Sequence, residues 1–259
     1  MKPSSIGWCD YSGGTLNYVS GCTPVSEGCA NCYARAIYKR YGKDFDTVVC
    51  DEDKLRAAMK YHYRAGDENP RKRGEGTRPI CFVCDTGDLF HPDVPKSFIF
   101  RAFLMMGSRP DVDWMILTKR PERLREFDKS FESKALLPWN HIYLGVTCEN
   151  QARADERIPI LLQHWAGPKF VSVEPMLEDM TIQDWLWGWR ERQAINWVIC
   201  GAESGPNRRL FDVKWAEHLY RQCQMEDVPM FGKQDSGLYP GTPLLIDGKI
   251  IHEWPGVPR

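Results

Sequence analysis

The sequence predicts an α/β protein built as a complete or partial parallel (β/α) barrel, and three observations carry that expectation. Six short apolar runs recur along the chain: Ile80 to Cys84, Trp114 to Thr118, Ile142 to Thr147, Phe170 to Val173, Trp197 to Cys200 and Pro229 to Phe231. Their starts are 27 to 34 residues apart, the length of one strand, one crossover helix and two loops. Amphipathic stretches fill the intervals. Nearly continuous apolar character is what strands covered on both faces require. A doubly wound open sheet is the rival architecture, and in both the chemistry sits where the strands end.

Taken in order, the elements begin with a less regular opening unit around Thr15 to Tyr41, in which Ala34 to Tyr41 reads as helical. Residues 61–78 differ in composition. They carry Arg64, Arg71, Lys72, Arg73 and Arg78 among Gly and Pro with little apolar periodicity, so a basic loop excursion is expected there. Helices are expected over Pro121 to Lys134, Gln151 to His164, Ile182 to Gln193 and Asp212 to Met225. Pro121 suits a first helical turn and Asp212 an N-cap. Trp185, Trp187 and Trp189 alternate inside the third of these. The whole chain, 1–259, reads as one barrel domain with that excursion.

Composition narrows the class further. The 259 residues are 42% apolar and 12% aromatic, enough for a substantial core, which excludes a mainly disordered chain. Lys and Arg number 34 against 35 Asp and Glu, so no chain-wide polyanion clamp is present, although a local basic channel is compatible with that balance. The start from Met1 to Asp10 has no apolar core of signal-peptide length. The longest apolar cluster, Phe98 to Met106, is interrupted by Arg101 and too short for a membrane span. A soluble cytoplasmic protein is expected, its ten cysteines serving as thiols or metal ligands rather than as a disulfide framework.

The most informative segment runs Gly21-Cys22-Thr-Pro-Val-Ser-Glu-Gly-Cys29-Ala-Asn-Cys32-Tyr33-Ala34. A CxxC pair can aim two thiolates at one metal, and the Gly and Pro residues before it let the loop bend the third toward them. Three thiolates leave an iron-sulfur cluster one ligand short, and a substrate or cofactor can occupy that position. A zinc site usually takes four protein ligands, for which Cys9 is the nearest further candidate. A redox CxxC would not need Cys22. Cys81 and Cys84 form a second CxxC, but on a strand their side chains would face opposite sides, so they read as core thiols. Cys50, Cys148, Cys200 and Cys223 have no partner spacing.

With Leu117-Thr-Lys-Arg-Pro121, Leu144-Gly-Val-Thr-Cys-Glu-Asn150, Ser172-Val-Glu-Pro175, Cys200-Gly-Ala-Glu-Ser-Gly-Pro206 and Lys233-Gln234, this segment resembles the phage Gp37/Gp68 family, also called the three-Cys-motif family. That family is placed within or close to the radical S-adenosylmethionine (SAM) superfamily. The resemblance covers about Ser5 to Gly237. It implies a barrel of radical SAM type and a 4Fe-4S cluster held by Cys22, Cys29 and Cys32, with the amino and carboxylate groups of SAM on the open iron. It further implies reductive cleavage of SAM to a 5'-deoxyadenosyl radical that abstracts a substrate hydrogen. The sequence departs from the commonest superfamily pattern. Six residues rather than three separate the first two cysteines, and Asn31 stands where an aromatic usually packs on the adenine, a role Tyr33 could take.

Under that resemblance the strand ends supply the remaining site. Asp85, Thr86, Gly87 and Asp88 could receive the SAM ammonium, and Lys119 its carboxylate. Thr147, Glu149 and Asn150 suit the ribose hydroxyls, although Asn150 also suits a helix cap. Glu174 and Glu203 are candidate catalytic carboxylates, with Lys119 as a catalytic cation. Arg120, Ser204, Arg208, Arg209, Lys233 and Gln234 would face substrate. The basic loop and strand-end cations favour a nucleic acid, and the phage resemblance favours modified DNA, for example isomerisation of an amino-acid-bearing thymine in the host cytoplasm. A duplex would need base flipping. An electron donor such as flavodoxin or ferredoxin is implied. The competing expectations are a radical SAM enzyme acting on a peptide or small metabolite, and a non-enzymatic zinc- or cluster-bearing nucleic-acid binding protein.

Overall fold

The computed structural model describes residues 4–60, 77–127, 139–165, 167–186 and 194–256. The expected basic excursion therefore lies outside the described residues except for Thr77 and Arg78, as do residues 128–134 of the helix expected from Pro121 and the segment with Trp187 and Trp189. The chain divides into two compact units, one of Met1–Val25 with Cys32–Tyr143 and one of Ser26–Asn31 with Leu144–Arg259.

The first unit opens with strand β1 (Val19–Ser20), helix α1 (Tyr33–Arg40), strand β2 (Val49–Cys50) and helix α2 (Glu52–Lys60). The expected opening crossover unit does not form. β1 pairs antiparallel with β2, Val19 opposite Cys50, because the apolar run there is only Tyr18-Val19 and the chain turns at once at Gly21, where φ is +84°. A side chain at Gly21 would meet Thr47 O at 2.1 Å, so only glycine serves.

Strand β3 (Ile80–Phe82), helix α3 (Lys96–Gly107) and strand β4 (Asp113–Thr118) follow, and β3 pairs parallel with β4. The Phe98 to Met106 cluster is part of α3. Phe98, Ile99, Ala102, Phe103, Met105 and Met106 are buried, one helical face at intervals of three and four. β3 ends before Cys84, which sits at φ +57°. Cys81 and Cys84 are both buried. From Pro121 the described chain is a 3₁₀ helix, Pro121–Glu126, rather than an α-helix.

The second unit takes up strand β5 (Ile142–Thr147) from Leu144, followed by helix α4 (Gln151–His164), β6 (Lys169–Val173), the short helix α5 (Gln183–Leu186), β7 (Trp197–Gly201), α6 (Val213–Met225) and β8 (Met230–Gln234). β5 pairs parallel with β6, β6 with β7 and β7 with β8. Asn150 and Asp212 cap α4 and α6, accepting from the backbone N–H groups of Arg153 and Lys214. A hairpin of β9 (Leu245–Ile246) and β10 (Lys249–Ile250) follows. All of β6 and β7 is buried, as strands covered on both faces must be.

Among the described residues the parallel strands number six, β3 to β8, and they succeed one another in chain order. A doubly wound sheet reverses direction at a switch point, which this order lacks, and a complete barrel has eight strands. The fold is the partial-barrel form of the expected α/β class.

Candidate active site

In the first unit the segment around Cys22 is organised by one buried guanidinium. Arg120, immediately after β4 and 3% exposed, donates from Nη1 to Cys22 Sγ at 3.3 Å and to Asp88 Oδ2 at 3.3 Å, and from Nη2 to Thr23 O at 2.8 Å and Thr23 Oγ1 at 3.0 Å. Asp88 in turn accepts from Thr118 Oγ1 at 2.8 Å, the Lys119 N–H at 3.2 Å and the Phe90 N–H at 2.9 Å. A buried carboxylate so surrounded holds the strand end and the cation together. His91 Nε2 lies 2.8 Å from Thr23 Oγ1. Burial, helped by the neighbouring Arg120, lowers the pKa of His91 and favours neutral imidazole. On α1, Arg35 donates to Cys22 O at 3.1 Å and to Asp46 at 2.7 Å.

The stretch 85–88 also packs onto this segment. Thr86 O accepts from the Gly21 N–H at 3.0 Å, and a Cβ on Gly87 would meet Val19 O at 2.7 Å, so the glycine serves a close backbone approach. The Asp85 carboxylate accepts from Asn17 Nδ2 at 2.5 Å, and burial raises its pKa. Tyr33, 52% exposed, donates its hydroxyl to Asp85 O. Lys119 is half-buried, and among the described residues it has no ion-pair partner.

In the second unit, residues 26–31 are held by carboxylates. Glu149, fully buried just after β5, accepts from the Gly28 N–H at 3.2 Å and pairs with Arg157 Nη1 at 2.9 Å. A Cβ on Gly28 would come within 3.0 Å of that carboxylate. Arg157 also donates to Thr147 O at 2.7 Å. Glu203 accepts from Asn31 Nδ2 at 2.9 Å and from the Arg209 N–H at 2.8 Å, and ion-pairs with the Arg209 guanidinium. Burial would raise the Glu203 pKa, but the hydrogen bonds from Arg209 and Asn31 outweigh it and hold the carboxyl below its ordinary value. Arg209 Nη1 donates to Glu27 O at 2.9 Å.

Further along the same unit, Glu174 Oε1 pairs with Lys233 Nζ at 2.9 Å. Gln234 donates to Ala202 O and accepts from the Gly241 N–H. Ser204 bridges Gly237, and Arg208 is exposed. The side chain of Asn150 caps α4.

None of the ten cysteines is in a disulfide. Cys22, Cys29 and Cys32 are half-exposed, whereas Cys9, Cys81, Cys84, Cys148, Cys200 and Cys223 are buried, and burial pushes the Cys84 and Cys200 thiols up. Buried thiols kept protonated are poor ligands, while accessible thiols with a cation nearby are good ones. Among the described residues no group of three or more His, Cys, Asp or Glu side chains is poised as a metal site. The donor chemistry of the three loop cysteines fits a metal-sulfur cluster all the same: soft, unbridged and accessible, with a guanidinium at Cys22. Sequence reasoning did not find Arg35, His91 or Arg157, and it singled out Asn31 only as a departure from the superfamily pattern. Only Arg35 carried a signal, its place three residues after Cys32 on the expected helix.

An α/β partial barrel carrying polar residues at its strand ends is the class of protein that results. The chain belongs to the family described as "Protein of unknown function (DUF5131)", whose model matches residues 3–242. That description does not carry the Gp37/Gp68 name. No curated protein sequence matches the chain. Among solved structures it is similar to a spore photoproduct lyase complexed with dinucleoside spore photoproduct, with a TM-score of 0.53 and 12% identity over 92% of this chain and 79% of that one. The likeness is one of fold. No described helix is long and apolar enough to cross a membrane.

Proposed function

We propose that the protein is a radical SAM enzyme acting on a nucleic-acid base. The observation that carries the reading is the state of the three loop cysteines: outside any disulfide, half-exposed and, at Cys22, hydrogen-bonded by a buried guanidinium. Cys22, Cys29 and Cys32 would hold a 4Fe-4S cluster. Cluster and SAM together, once reduced by a donor such as flavodoxin or ferredoxin, would supply a 5'-deoxyadenosyl radical able to take a hydrogen from substrate.

This chain's own residues do the holding. Arg120 fixes Thr23 and lends positive charge to Cys22, and Asp88 fixes Arg120. Its contacts make Arg120 a positioning residue for the cysteine segment in preference to a substrate contact. Glu149, through the Gly28 N–H, and Glu203, through Asn31, restrain the backbone around Cys29. Lys119, whose ammonium has no ion-pair partner among the described residues, suits the SAM carboxylate. Tyr33, largely exposed beside Cys32, suits the adenine face. Both carboxylates carry a cation, Glu203 that of Arg209 and Glu174 that of Lys233; Glu174, with fewer hydrogen bonds among the described residues, is the one suited to a substrate amine.

A nucleic-acid substrate is supported by the fold shared with a lyase bound to a dinucleoside and by the strand-end cations Lys119, Arg208 and Lys233. The finer reading is phage DNA hypermodification, for instance isomerisation of an amino-acid-modified thymine. The experiment is anaerobic reconstitution with dithionite as reductant. The protein should release 5'-deoxyadenosine from SAM, faster with DNA carrying modified thymine, and Cys29→Ala should abolish the release in a folded chain. A colourless, zinc-loaded protein with no SAM cleavage would overturn the proposal.

A further inference from the structure

The loops after β7 and β8 carry, besides Arg208 and Arg209, apolar side chains that the chemistry above leaves unused. Their backbones are tied together, the Gly205 N–H donating to Gly237 O at 2.9 Å and the Ala202 N–H to Gln234 O at 2.9 Å. The loops border a depression of about 400 Å³ lined by Arg208, Arg209, Leu210, Phe211 and Ser236, within the size range of small-ligand sites. Arg209 is committed to Glu203, whereas Arg208 is exposed and touches only the nearby Gly205 O at 3.1 Å among the described residues. Leu210 is 81% exposed, Tyr239 80% and Leu238 59%. Three large apolar side chains are thus left in water on one hydrogen-bonded pair of loops.

The chemistry on offer is one guanidinium, one aromatic face and aliphatic surface. Single-stranded nucleic acid uses that combination: a cation meets backbone phosphate and an aromatic ring stacks on a base whatever its identity. We infer that the β7 and β8 loops form a docking rim for single-stranded nucleic acid, with Arg208 against a phosphate and Tyr239 stacked on a base. The inference deepens the nucleic-acid reading of the active site and is independent of its cofactor chemistry.

The test is fluorescence anisotropy of the full chain with a labelled thymidine oligomer of about twelve nucleotides, a length within the usual site sizes of single-strand binders. Tyr239→Ala should weaken binding about tenfold and Tyr239→Phe should restore it, as expected for loss and recovery of one stacked base. Arg208→Ala should reduce the slope of log K against log salt by about 0.7, the share of one single-strand phosphate. Both positions face solvent, so the variants should keep the wild-type circular dichroism. Wild-type protein that does not bind the oligomer, or variants indistinguishable from it, would overturn the inference. Variants that keep oligonucleotide binding but lose reduction by an acidic flavodoxin would also overturn it, by making the rim a protein-docking face. Binding retained in a protein that never cleaves SAM would sink the radical reading alone, and SAM cleavage without oligonucleotide binding would sink the rim alone.

Discussion

Between Gly21 and Val25 the chain is held chiefly by cations, Arg120 on Cys22 Sγ and Thr23, and Arg35 on Cys22 O; between Ser26 and Asn31 it is held chiefly by carboxylates, Glu149 on the Gly28 N–H and Glu203 on Asn31. The first arrangement puts positive charge at a sulfur and so favours its thiolate. The second fixes backbone, and the Cys29 thiol has Ser26 Oγ beside it, 4.0 Å away, rather than a guanidinium. One cysteine is thus prepared electrostatically, and another is prepared mainly by position.

The carboxylate side should break most dramatically. Glu149 is fully buried, and Arg157→Ala would strand its charge, an effect expected to cost about 3–5 kcal/mol in urea unfolding. Arg120→Ala should cost somewhat less, about 2–3 kcal/mol, because Asp88 keeps its hydrogen bonds from Thr118, Phe90 and Lys119. The same variant should slow alkylation of Cys22 at neutral pH, read by peptide mass, while leaving Cys29 unchanged. An equal slowing at both cysteines would erase the contrast between the two stretches.

A buried cation elsewhere in the second unit sharpens the point. Lys169, 1% exposed, donates to Gly167 O, and burial lowers its pKa from 10.5 to about 8. Between those two values the unfolded chain binds the extra proton, so this group's contribution to stability rises with pH across that window and is unfavourable below it. Lys169→Met should therefore stabilise the protein by roughly 2–3 kcal/mol at pH 7, a gain that vanishes as pH approaches 10.5 in thermal melts. The smallest effect is expected at the exposed Glu27–Arg153 pair, 3.2 Å apart. Glu27→Gln should change stability by no more than about 0.5 kcal/mol.

The parallel strands were legible because each is a run of buried side chains at crossover spacing, and the helix at Gln151–His164 because its cap and period both announce it. The opening unit misled because two apolar residues before a glycine look like the start of a strand, while only tertiary contact with Val49–Cys50 decides their pairing. Within the site, the three cysteines stood out by local spacing. The network around them did not: Arg120 and Cys22 are 98 residues apart and Gly28 and Glu149 121, and no local pattern encodes a partner at that distance. Arg120 shows the cost, since a residue expected to face substrate has its guanidinium buried against Cys22, Asp88 and Thr23.

The central claim is that Cys22, Cys29 and Cys32 together bind one cluster, and iron and sulfide analysis with electron paramagnetic resonance after anaerobic reconstitution tests it most directly. Wild-type chain should hold about four iron and four sulfide and give a reduced-cluster signal that shifts on adding SAM, while Ser at any of the three positions should remove most of the iron. A full complement of iron retained without Cys22, Cys29 or Cys32, or a cluster whose signal ignores SAM, would contradict the account.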